Sequence, residues 1–209
     1  NYQDLIVKEN PQPIINAVNR LKPARQALQA VAGIHAEAWL PDFASRPLRK
    51  RLKHLDGAGP ARATERTRGR VALFATCYMN RNEPGIGEDF AAVFAHNDIP
   101  VRLAEKERCC GMPKMELGHL EAVRRAKEAN IPGLARLVDA GWDLTALIPS
   151  CVLMFKQELP LLFPGDPEVM KVKAAFFDPF EYLMLRHLEG LLKTDFQRSL
   201  GQVAYNASC

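Results

Sequence analysis

Five cysteines carry most of the chemistry this sequence could perform: Cys77, Cys109, Cys110, Cys151 and Cys209. All close apolar runs of strand length, in "RVALFATC", "IPVRLAEKERCC", "WDLTALIPSC" and "GQVAYNASC". Thiolates are soft donors, so four of them gathered at one point suit an iron–sulfur cluster or zinc. Zinc sites usually carry paired C-x(2–4)-C knuckles. None occurs here, and Met154 stands where a second cysteine would complete a knuckle after Cys151. A cluster accepts ligands from distant loops, which fits the long spacings between Cys77, Cys109, Cys110 and Cys151, the candidate ligands. Gly111 beside the pair lets the backbone approach inorganic sulfide and donate N–H bonds to it.

Other readings of the same residues stay open. Buried cysteine is a common small core residue, although four at three successive strand ends are hard to ascribe to packing alone. A disulfide framework fits poorly, since five is odd and no secretion signal opens the chain. A nucleophilic thiol would need a base, and His96 and His119 lie in the same half. Both fall in helical patterns, where surface or capping roles are expected. The "GIG" at Gly85–Gly87 lacks the rest of a dinucleotide fingerprint. Phe176, Phe177, Phe180, Tyr182 and Leu183 read as a helix-packing stripe.

The elements that would hold these thiols alternate. Helical patterns separate the cysteine-terminated runs: "GEDFAAVFAHND" after the first, and "GHLEAVRRAKEANIPGLARLVDAG", with a break expected at Pro132-Gly133, after the second. That alternation predicts an α/β fold with an open, mostly parallel sheet and flanking helices. Ligands of such sheets bind outside the carboxyl ends of the strands, where the cysteines sit. "MFKQELPLLFPGDPEVM" reads as a helix then a loop. Ile14, Val18, Leu21, Leu28 and Val31 predict an amphipathic helix interrupted at Pro23, a helical N-terminal extension.

Composition divides the chain near residue 70. Residues 1–70 carry 13 Lys/Arg against 6 Asp/Glu, a balance of +7, and the remainder carries 15 against 18, or −3. The basic runs "SRPLRKRLKHL" and "ARATERTRGR" read as a solvated linker or as a surface for anionic lipid or an acidic partner. No aromatic residues interleave with these charges, so nucleic-acid binding is not expected. No run of eighteen apolar residues occurs. The expected organisation is a helical, basic extension over 1–70, a cysteine-rich α/β domain over 71–200, and the start of a second copy over 201–209, where "QVAYNASC" resembles "VALFATC". An opening without methionine and a close on "VAYNASC" read as an internal piece of a longer polypeptide.

The order C…C-C-G…C, each set after a strand, resembles the cysteine-rich CCG domain. That domain is shared by the heterodisulfide reductase B subunit, lactate-utilisation iron–sulfur proteins and the C subunit of anaerobic glycerol-3-phosphate dehydrogenase. "LKPARQAL", "VALFATCYMNRNEPGIGEDF", "EKERCCGMPKMELG" and "PSCVLMFKQELP" look most like the last of these. The resemblance implies an iron–sulfur cluster, of the 4Fe-4S type, on Cys77, Cys109, Cys110 and Cys151, with zinc as the alternative. It implies an electron-transfer subunit of an oxidoreductase, between a flavoprotein dehydrogenase and quinone or another acceptor, or beside a rubrerythrin-type redox partner. The implied location is cytoplasmic, with peripheral contact at the inner face of the cell membrane. Cluster-based thiol/disulfide chemistry is the competing activity. Met154 stands where the heterodisulfide reductase pattern has a further cysteine, which favours a four-thiolate site.

Overall fold

Along Val71–Phe74 successive side chains turn to opposite faces, and both faces are covered. Val71 and Leu73 join one buried apolar cluster, Ala72 and Phe74 the other. A strand buried on both sides belongs in the middle of a three-layer α/β/α arrangement. The computed structural model describes residues 12–105, 108–199 and 201–204. Strands β1 (Val71–Leu73), β2 (Val101–Leu103), β3 (Asp143–Thr145) and β4 (Phe176–Phe177) form one parallel sheet in the order β2-β1-β3-β4. The helices are α1 (Gln12–Asn19), α2 (Lys22–Ala32), α3 (Leu48–Arg51), α4 (Cys77–Arg81), α5 (Pro84–His96), α6 (Met112–Glu116) and α7 (Leu120–Asp139). Then come α8 (Pro149–Leu153), a π-helical turn (Met154–Glu158), α9 (Leu159–Leu162), α10 (Pro167–Ala175) and α11 (Pro179–Leu188). The parallel sheet, flanking helices and helical N-terminal segment are those the sequence predicts.

Travel along the sheet reverses after β2, so right-handed crossovers put the helices between β1 and β2 on one face and those between β2 and β4 on the other. Val123, Ile131, Leu134 and Val138 of α7, Phe155 of the π-turn, and Val169 and Val172 of α10 fill one face. Leu48 of α3, Met79 of α4, Phe90 and Phe94 of α5, and Tyr182 of α11 fill the other. Gly87 is explained here: a Cβ at that position would stand 2.3 Å from Leu48 Cδ2. The glycine lets the connector seat a leucine directly on α5.

Three local expectations are corrected. Helix α7 runs unbroken through Pro132. Its apolar face on the sheet outweighs one lost backbone hydrogen bond. Phe176 and Phe177, read as helical, form β4. Asp178 caps α11 with a full capping box and Pro179 opens it, and a residue preceding proline is held extended. Ile14 and Val18 remain exposed on α1, Leu21 at the break between the helices, and Val31 on α2, in whose first turn Pro23 sits. Pro160 leaves the α8–α9 helix continuous but widened, since its ring excludes the carbonyl of Lys156 at the centre of the π-turn.

The basic connector is folded onto the domain. Arg68 Nη1 donates to the Trp142 carbonyl at 2.6 Å, and Arg70 Nε to the Gly141 carbonyl at 2.8 Å. Arg51 pairs with Glu88 at 2.8 Å. Arg186, 1% exposed, donates to the Arg62 carbonyl and to Thr67 Oγ1. Residues 201–204 form no strand, and Cys209, with 205–208, lies outside the described residues. Among the described residues no helix is long and apolar enough to cross a membrane.

Candidate metal centre

Adjacent parallel strands lie about 4.8 Å apart, so loops leaving three neighbouring carboxyl ends meet. The pairing continues past the strands: Phe74 N–H donates to the Thr145 carbonyl at 2.8 Å, and Ala104 N–H to the Leu73 carbonyl at 2.9 Å. Cys77 is the first residue of α4, whose N-cap Thr76 accepts from Met79 N–H at 3.2 Å. Cys109 and Cys110 lie between β2 and α6, and Cys151 is in the first turn of α8. The order β2-β1-β3 therefore puts the Cys77 loop between the other two, at the point where the strand order reverses.

The structure brings all four thiols together. Cys77 contacts Cys109, Cys109 contacts Cys110, and Cys110 contacts Cys151. Cys110 and Cys151 are buried, whereas Cys77 and Cys109 are half-buried, so the row opens to solvent on one side. Hydrogen bonds from Cys110 and Cys77 pull the Cys109 thiol down to about 2, helped by the Gly111 N–H and the Lys114 charge. Cys77 is pushed well above the ordinary thiol range, first by donating to Cys109 and then by burial. Cys110 is pushed up too, by its bonds to Cys109 and Cys151 and by burial. The hydrogen bonds thus favour the thiolate at Cys109 and the thiol at Cys77 and Cys110.

This donor set fits a soft cation. Hydrogen bonding to Cys109 and burial favour the protonated form of Cys77 and Cys110, and a bound metal would oppose that by supplying positive charge. The backbone is already directed at sulfur: Tyr78 N–H bonds Cys77, Gly111 N–H bonds Cys109, and Met112 N–H bonds Cys110. Among the described residues no three His, Cys, Asp or Glu side chains close around a single point. The thiols form a row of pairwise contacts.

Gly111 has φ 102°, where other residues are strained. A Cβ there would stand 3.2 Å from the Ala126 Cβ and 3.5 Å from the Met154 Cε. Met154, fully buried, therefore lies beside the Cys-Cys-Gly turn. The histidines serve elsewhere: His119 Nδ1 accepts from Ala122 N–H at 3.4 Å as the cap of α7, and His96 pairs with Asp195 at 2.8 Å.

The residue missing from the sequence reading is Asn130. It is 3% exposed on α7, accepts from Arg108 N–H at 2.8 Å and donates to the Cys109 carbonyl at 3.1 Å. A polar residue seven after Val123 and four before Leu134, on the buried stripe, was the available signal.

Residues 71–156, which enclose all four thiols, match the cysteine-rich domain family, CCG. This segment is similar to a CCG domain. The chain is 28% identical over 155 residues to the C subunit of the anaerobic glycerol-3-phosphate dehydrogenase of Escherichia coli, covering 74% of this chain and 38% of that one. It is 31% identical over 142 residues to lactate utilization protein A of Geobacillus kaustophilus, 67% of this chain and 57% of that one. The Bacillus cereus protein of the same name is 32% identical over 136 residues, 65% and 54%. The chain thus spans between about two fifths and three fifths of these relatives. No solved structure matches it. The matched segment carries a Cys109-Cys110-Gly111 turn at the middle of the thiol row.

Proposed function

We propose that this CCG-like domain binds an iron–sulfur cluster through Cys77, Cys109, Cys110 and Cys151 and acts as the electron-transfer part of an oxidoreductase. The observation that carries this reading is the continuous row of four thiols with three backbone N–H groups bonded to sulfur. A bound cluster supplies one-electron transfer. The chain's own residues do the rest. Buried Cys110 and Cys151 keep water from one side, and half-buried Cys77 and Cys109 form the edge open to a partner. The N–H groups of Tyr78, Gly111 and Met112 stabilise the negative charge that grows on sulfur upon reduction.

The name of the Escherichia coli relative supports a dehydrogenase partner, and the proposed electron donor is a flavoprotein dehydrogenase oxidising glycerol 3-phosphate or a related substrate. Quinone at the inner membrane face, or a rubrerythrin-type protein, completes the proposed path. Residues 1–70 are proposed as the extension to this domain over 71–200, and 201–209 as the start of a second unit.

The test is anaerobic reconstitution with iron and sulfide, followed by metal and acid-labile sulfide analysis and EPR. Wild type is expected to bind both elements and give a reduced-state signal, and Cys110→Ser to lose most of each. Stoichiometric zinc without labile sulfide, or a Cys110→Ser variant with unchanged iron and signal, overturns the reading.

A further inference from the structure

The basic connector reaches the thiol row at Arg49. Its main-chain N–H donates to Asn80 Oδ1 at 3.0 Å, and Asn80 lies on α4, the helix that Cys77 opens. Its guanidinium Nη2 donates to the carbonyl of Ala104, the residue after β2 on the path to Cys109 and Cys110. The flanking Leu48 and Leu52 are 0% and 5% exposed, so α3 is anchored in the core on either side of Arg49. One residue therefore ties the Cys77 helix to the loop that carries the cysteine pair.

We propose that Arg49 is a positioning residue of the metal centre, which sets the separation of Cys77 from Cys109 and makes the basic connector part of the site. The physical basis is the shape of the side chain. A planar guanidinium can cap a carbonyl at the end of a strand while its own backbone holds a second partner. Losing either bond frees one loop to move relative to the other. The two thiols most affected are the two half-buried ones, Cys77 and Cys109, because Cys110 and Cys151 are held by core packing on the other side. The inference rests on the cluster-binding reading for one of its two readouts only.

The first readout is the rate of iodoacetamide alkylation at each cysteine, mapped by mass spectrometry in the full chain kept anaerobic and metal-free. Arg49→Met and Asn80→Ala are each expected to raise the rates at Cys77 and Cys109 by about three- to tenfold, the range that loss of one hydrogen bond allows. Cys151 should keep its wild-type rate, and Arg49→Lys should restore part of the protection. The double variant should exceed the stronger single variant little, because both changes cut one tie. The second readout is iron release to a chelator after reconstitution, expected to quicken over the same range. Unchanged rates at Cys77 and Cys109, or an equal rise at Cys151, overturn the proposal, the latter by marking a general loosening. If wild type takes up no iron or sulfide while the alkylation pattern changes as expected, the cluster reading fails and the positioning role stands.

Discussion

A single side-chain amide does for the Cys109 turn what a neighbouring strand would do. Asn130 accepts from one peptide and donates to the next, so Arg108 and Cys109 are held in one orientation against α7. Buried polar groups that lose their partner cost far more than a hydrogen bond gains. Asn130→Leu keeps roughly the volume and leaves the Arg108 N–H and Cys109 carbonyl unpaired. The expected outcome is a loss of about 1–3 kcal/mol in urea-unfolding stability of the metal-free protein. Cys109 alkylation should quicken together with that loss. Asn130→Asp retains the acceptor for Arg108 N–H and should fall between the two. Gly111 is the other residue whose identity is forced, by a positive φ and by the Ala126 Cβ and Met154 Cε against it.

Helix-to-helix spacing decides how the connector is incorporated. Helix α3 is only one turn long, too short to be stable alone, and exists because Leu48 fills the space left by the missing side chain of Gly87. Gly87→Ala places a methyl group in that space, and overpacking of this kind costs about 1–3 kcal/mol. Leu48→Ala opens a cavity and is also destabilising, by about 2–5 kcal/mol. Because the two groups compete for one volume, the double variant should be more stable than the sum of the two losses implies. Denaturant midpoints of the four proteins measure this coupling, and strict additivity would show that Leu48 and Gly87 do not touch. The short strands follow the same logic: three residues suffice where helices cover both faces and the pairing continues into the cysteine loops.

Across the molecule, chemistry sits at one end of the sheet and a buried polar anchor at the other. Asp143, 3% exposed at the start of β3, accepts from Arg68 N–H at 2.6 Å and Tyr182 O–H at 3.1 Å. Burial pushes its carboxyl above the ordinary range, against the opposing pull of these bonds and of the Arg68 and Arg186 charges. With the folded value raised, the folded state binds more protons than the unfolded one in that window. Stability from this group is complete below the ordinary carboxylate value of about 3.9 and falls as pH rises through the folded value. Asp143→Asn removes this contribution. The variant should therefore lack a downward slope, at most about 1.4 kcal/mol per pH unit, that wild type shows above about pH 4. Urea midpoints measured against pH for both proteins test this, and parallel curves would contradict it. Two arginines of the connector bear on this region: the Arg68 N–H bonds Asp143, and the Arg62 carbonyl accepts from the neighbouring Arg186. The Arg68 guanidinium also turns inward, onto the Trp142 carbonyl.

Local pattern in the sequence by itself determined the alternating α/β organisation and the position of each thiol after an apolar run. Those features depend on residues a few places apart, as in "RVALFATC". It also determined that Cys109-Cys110 precedes a glycine, which the positive φ of Gly111 requires. Only the tertiary structure decided that β1 lies between β2 and β3, and so that the Cys109-Cys110 turn is flanked by Cys77 on one side and Cys151 on the other. The same holds for the ties around the site. Asn130 and Cys109 are 21 residues apart, and Arg49 and Ala104 are 55 apart. Such pairings arise when the sheet closes and its faces are buried, a cooperative outcome of many weak contacts that no short window of sequence contains.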